Sequence, residues 1–100
     1  MPEVGALAEK VRSKNAGPFW VTVDIFCGSE SAFRRIAGGL ATARVARAFG
    51  APEQLLKRFD IADLNVVKFS LPRPTVQGRV TDRDMHGAAW AAVVAEMEID

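Results

Sequence analysis

The chain has 100 residues, 49% of them hydrophobic and 25% charged, the balance of a soluble globular protein large enough for one core and too short for two. Thirteen Lys and Arg against twelve Asp and Glu leave a net charge of +1, which argues against general nucleic-acid binding, since that normally needs a clear basic excess. Cys27 is the single cysteine, so no internal disulfide is possible, and no apolar run is long enough for a membrane-spanning helix.

Met1-Pro2-Glu3-Val4-Gly5 lacks the basic region and apolar run of a secretory signal, so a cytoplasmic protein with one domain over residues 1–100 is expected. Leu7, Ala8 and Val11 form a short helical stripe. Arg12-Ser13-Lys14-Asn15-Ala16-Gly17-Pro18 reads as a basic loop that ends this helix, because proline cannot continue it. Residues 19–27 then alternate. Phe19, Val21, Val23, Ile25 and Cys27 make one apolar face, and Trp20, Thr22, Asp24 and Phe26 make a mixed face of the kind a partner covers. Gly28-Ser29-Glu30-Ser31 is a turn and cap for a helix through Phe33 and Ile36, broken at Gly38-Gly39. A second helix runs from about Thr42 through Val45 and Phe49 to Gly50, with Arg44 and Arg47 outside.

Pro52 suits the first turn of a short helix at Glu53-Gln54, and a strand is expected from about Lys57. Asp60 to Asp63 reads as a turn. Leu64 to Leu71 is a strand with Val67, Phe69 and Leu71 on one face and Val66, Lys68 and Ser70 on the other, ended by Pro72-Arg73-Pro74. Residues 75–81 read as irregular or as a short extended piece around Gly78. The last helix runs from Arg83 to about Ala95, capped by Thr81 or Asp82, and its Ala88, Ala91, Ala92 and Ala95 mark a face expected to pack on the sheet. Glu96 to Asp100 fits a final edge strand. The order predicts an α+β, ferredoxin-like split βαβ sandwich: an antiparallel sheet covered by helices on one face, with an extra N-terminal helix and the strands at 19–27 and 64–71 paired at its centre.

That topology brings the start of one central strand beside the end of the other. Arg12, Ser13, Lys14 and Asn15 are then expected near Arg73, with Asp82, Arg83 and Asp84 at the start of the last helix joining them. Four cations, two carboxylates and a helix N-terminus on one rim can bind a carboxylate or phosphate. Trp20, Thr22 and Phe26 are the expected interface residues, in a homo-oligomer when the chain is alone. His86 has no second His or Cys nearby, so no metal or cofactor is expected. The chain contains no Walker loop, G-x-G-x-x-G, C-x-x-C or nucleophile elbow, which favours a binding or assembly module over a self-sufficient enzyme.

The run from Arg12 to Phe19, Leu71-Pro72-Arg73-Pro74, Gly78, Asp82-Arg83-Asp84 and Gly87-Ala88 together resemble a small bacterial family of unknown function whose members occur beside proteins similar to the acyclic terpene utilisation protein AtuA. That family is similar to the ferredoxin-fold domain at the C-terminus of AtuA. The resemblance implies a separately encoded small subunit that assembles with an AtuA-like large subunit and helps bind an acyl or hydroxy-acid substrate, such as a small carboxylate or an acyl thioester. One departure stands out: where the family pattern has Gln-Gln-His, this chain has Ala88-Ala89-Trp90-Ala91. The alternatives are a lyase or hydratase in which Asp84 or His86 moves a proton while Arg12, Lys14 and Arg73 hold the carboxylate, and a homo-oligomeric binder of a small anion.

Overall fold

The computed structural model describes residues 2–16, 20–72 and 87–99. It opens with one helical turn, α1 (Val4–Leu7), whose Val4 is buried. Ala8 is already extended (φ −83°, ψ 155°), so the turn does not reach Val11. Lys10–Asn15 forms strand β1, antiparallel to β2 (Trp20–Phe26), and the Ala16 N–H closes the hairpin by donating to the Trp20 carbonyl at 2.8 Å. The expected helical stripe and basic loop are therefore largely a strand. Lys, Arg, Ser and Asn have little strand preference of their own, but Lys10, Arg12 and Lys14 alternate with Val11 and Ser13 at period two, and a buried neighbouring strand offers the ladder.

Ser29 caps α2 (Glu30–Gly39), its hydroxyl accepting from the Ala32 N–H at 3.1 Å. The helix includes Gly38 and Gly39 and stops at Leu40. Next, α3 (Thr42–Phe49) ends at Gly50, whose φ of 68° is the left-handed conformation that glycine adopts without a side-chain clash. A 3₁₀ turn at Glu53–Leu55 leads to β3 (Lys57–Ile61), and a second at Ala62–Leu64 leads to β4 (Val66–Pro72). The turn between these strands therefore lies a little later than the expected Asp60 to Asp63. The last described helix is α4 (Gly87–Ala95).

The four strands form one antiparallel sheet in the order β1-β2-β4-β3. The central pair is the expected one, and the α+β, ferredoxin-like arrangement holds. One edge differs. The place beside β2 belongs to β1, not to Glu96 to Asp100. That segment makes only an isolated bridge, Glu3 to Glu98, supported by the Val4 N–H on the Met97 carbonyl at 2.8 Å and the Ile99 N–H on the Pro2 carbonyl at 3.0 Å. A short hairpin closes a much smaller loop than a strand returning from the far end of the chain, and so costs less chain entropy.

Val21, Val23 and Ile25 on β2 and Val67, Phe69 and Leu71 on β4 are fully buried beneath the helices. The helix α4 packs through Trp90 and Val94, with Ala91 and Ala95 half-buried, while Ala92, expected on the packing face, is exposed. Burying an indole and a valine removes far more apolar area from water than burying alanines. The Trp90 ring meets Phe49 edge-on at 5.3 Å, and Ala95 lies against Gly5, where an added Cβ would sit 3.0 Å from the Ala95 Cβ.

Candidate binding face

Ladder register and strand alternation determine which side chains share the face opposite the helices. Directly paired residues stand in rows across the four strands. Lys14, Thr22, Ser70 and Lys57 form one row; Arg12, Asp24, Lys68 and Phe59 form the next; Lys10, Phe26, Val66 and Ile61 form the third. Trp20 and Pro72 pair beyond the first row. Among the described residues, five cations and one carboxylate thus occupy a single sheet face.

Lysines lie over the aromatic rings. The Lys10 Nζ is 5.3 Å from the Phe26 centroid, and the Lys57 Nζ is 5.7 Å from that of Trp20. Trp20 and Phe26 are half-buried, while Phe59 is half-exposed at the sheet edge. Thr22, in the middle of the first row, is only 8% exposed, and its Oγ1 has no hydrogen-bond partner. A pocket of about 220 Å³ opens along the β1–β2 seam, lined by Arg12, Ser13, Lys14, Asp24 and Phe26. Drug-sized ligands occupy sites of roughly 300–1,000 Å³, so this pocket suits a smaller group such as a carboxylate. Among the described residues neither Arg12 nor Lys14 makes an ion pair or a side-chain hydrogen bond.

The fold separates residues that are adjacent in the sequence. Arg12 and Lys14 are on the row-bearing face. The Ser13 hydroxyl instead accepts the backbone N–H of Ala91 in α4 at 3.0 Å, on the helix side. Asn15 pairs with Val21, and its side chain lies outside the description. As parts of strand β1, Arg12 and Lys14 stand opposite Asp24 and Thr22 at the edge of the sheet. Arg73, Asp82, Arg83, Asp84 and His86 lie outside the described residues. Trp20, Thr22 and Phe26 share one face, as their spacing predicted.

Two features escaped the sequence reading. Lys10, Lys57 and Phe59 share the face on which alternation had placed Lys68, and the alternation within 10–15 and 57–61 was the available signal. Arg58 turns the other way, toward the helices. Its guanidinium donates to the carbonyls of Ala37 (2.7 Å) and Leu40, to Thr42 Oγ1 (3.2 Å) and to Asp60 Oδ1 (2.9 Å), and lies 5.5 Å from the Phe69 centroid. It satisfies carbonyls at the C-terminus of α2 that have no partner within the helix, so its role is structural.

Cys27 is 3% exposed, and its thiol donates to the Ile25 carbonyl at 3.7 Å. Burial pushes the thiol pKa up, and Asp60 adds to the rise, while a backbone hydrogen bond from Val67 opposes it. The sulfur is therefore held as a thiol, unsuited to nucleophilic work. Among the described residues no group of three or more His, Cys, Asp or Glu side chains could hold a metal ion, and no helix is long and apolar enough to cross a membrane.

Comparisons with curated proteins and with solved structures find no match. A family model does match, over residues 4–98, which takes in every strand and helix of the face and its support. The chain belongs to that family, the domain of unknown function DUF4387.

Proposed function

We propose that the protein is an accessory subunit that assembles with an AtuA-like large subunit and contributes Arg12 and Lys14 to the binding of an acyl or hydroxy-acid substrate. The observation that carries this reading is the pocket at the β1–β2 seam. Its two cations have no anionic partner within ion-pair distance among the described residues, and its volume matches a carboxylate or the end of a short acyl chain. Phe26 supplies an apolar wall beside them, and Asp24 favours a substrate that also carries a hydroxyl donor. Arg and Lys at neutral pH are cations, so their role is to hold charge and orient the substrate while the partner supplies the proton transfer.

The resemblance to the fused domain of AtuA supports this choice of partner. The test is co-expression of the chain with an AtuA-like protein encoded beside it, followed by size-exclusion chromatography and native mass spectrometry. A hetero-complex that binds a small hydroxy acid, and loses that binding in Arg12→Ala, is the expected result. A wild-type chain that never co-elutes with the large subunit overturns the reading.

A further inference from the structure

Charge is segregated across this fold. The whole chain carries thirteen cations and twelve acidic residues, a net +1. Among the described residues, the face opposite the helices holds Lys10, Arg12, Lys14, Lys57 and Lys68 against Asp24, a net +4, which leaves −3 for the remaining residues of the sequence. Within that face the cations of the first row stand at both sheet edges, Lys14 on β1 and Lys57 on β3, with the hydroxyls of Thr22 and Ser70 between them. The third row holds the aliphatic side chains Val66 and Ile61 beside Phe26. A cationic field with aromatic and aliphatic anchors inside it is built for an acidic surface that also presents an apolar contact.

We infer that this sheet face docks an acidic protein surface of a different chain, with Trp20 and Phe26 as anchors and Lys57 and Lys68 as the charges that select the partner. The inference rests on the accessory-subunit reading and specifies the chemistry of the partner's contact surface: carboxylate-rich, with an apolar centre. A second copy of this chain is a poor occupant, because pairing the face with itself sets +4 against +4 across the contact. A single-stranded nucleic acid is disfavoured as well. Stacking of bases needs open ring faces, and here Lys10 and Lys57 lie over Phe26 and Trp20. An acidic protein surface can pair with those same lysines and leave the rings as buried anchors. The unpartnered Thr22 hydroxyl, buried in the first row, gains an acceptor when a carboxylate arrives between Lys14 and Lys57.

The test compares two charge reversals of equal size in the full chain. Lys57→Glu with Lys68→Glu alters the sheet face without touching Arg12 or Lys14. Arg34→Glu with Arg47→Glu alters exposed positions on α2 and α3 on the helix side. Circular dichroism checks folding, and Lys57→Gln with Lys68→Gln replaces the reversal if it fails to fold. Affinity for the AtuA-like large subunit is measured at two salt concentrations, and the Trp20 emission of a Trp90→Phe background is titrated with poly-L-glutamate and with a 20-nucleotide oligo-dT. The sheet-face reversal is expected to weaken the hetero-complex at least 100-fold and the helix-face reversal less than 3-fold, with wild-type affinity falling as salt rises. A hetero-complex indifferent to the sheet-face reversal overturns this inference and leaves the accessory-subunit reading intact. Absence of any hetero-complex, with poly-L-glutamate still shifting Trp20 emission in wild type and not in the reversal, sinks that reading and supports the acidic-surface inference. No response to either the large subunit or poly-L-glutamate overturns both. Tighter response to oligo-dT than to poly-L-glutamate overturns the inference in favour of nucleic acid.

Discussion

The Ser13 hydroxyl accepts a hydrogen bond from the backbone N–H of Ala91, 78 residues further along the chain, at 3.0 Å. Strand β1 is thereby tied to α4, and Ser13 is turned to the helix side while Arg12 and Lys14 remain on the other face. The Arg-Ser-Lys run therefore presents its residues to two sides of one strand.

Ser13→Ala removes this bond and is expected to destabilise the fold by about 1 kcal/mol, the usual net worth of a neutral hydrogen bond. Arg12→Ala and Lys14→Ala are expected to leave the melting temperature nearly unchanged, because neither side chain is paired among the described residues, while weakening binding of a small carboxylate. Thermal melts and calorimetric titration on the three variants check this. Equal destabilisation by all three would mean that the cations brace the strand and do not bind a ligand.

Arg58→Met is expected to cost about 2–3 kcal/mol, since it leaves the Ala37 and Leu40 carbonyls without their charged donor. Arg58→Lys should recover little, because an ammonium cannot span the two carbonyls, Thr42 and Asp60 as the planar guanidinium does. Asp60→Asn is expected to cost under about 1 kcal/mol, the Asp60 side chain being 41% exposed. Chemical denaturation of the three proteins gives the comparison.

Val94→Ala is expected to destabilise by about 2 kcal/mol through a cavity in the core, whereas Ala92→Leu should stay within about 0.5 kcal/mol because that position faces solvent. The opposite ranking would place the packing face of α4 on its alanines.

Cys27 is expected to react with a thiol reagent only as fast as the fold opens, and to become accessible on denaturation. Its raised folded-state pKa also sets a sign. Below the unfolded thiol pKa, about 8.5, both states hold the proton and the group has no effect on relative stability. Above it the unfolded chain ionises first, so stability falls as pH rises toward the folded value. Cys27→Ala should flatten this alkaline loss in denaturation midpoints measured from pH 7 to 10.

Much of the architecture follows from residues in isolation. The alternation of Val21, Val23 and Ile25 and of Val67, Phe69 and Leu71 set two buried strand faces, Ser29 capped one helix and Gly50 closed another, because each of these depends on neighbours within a few positions. The mixed face of Trp20, Thr22 and Phe26 was visible for the same reason. Tertiary structure decided what local preference left open. Arg12-Ser13-Lys14 has weak strand preference, and only the ladder offered by β2 made it an edge strand in place of the C-terminal segment. Similarly, Ala92 and Val94 sit two residues apart on one apolar helix, and only the position of the sheet determined that Val94 is buried and Ala92 is not. Assembly of the cationic face depended on register between strands distant in the chain. Alternation within a single strand specifies two sides, but it does not say which side the helices will cover or which charges from other strands will stand beside it.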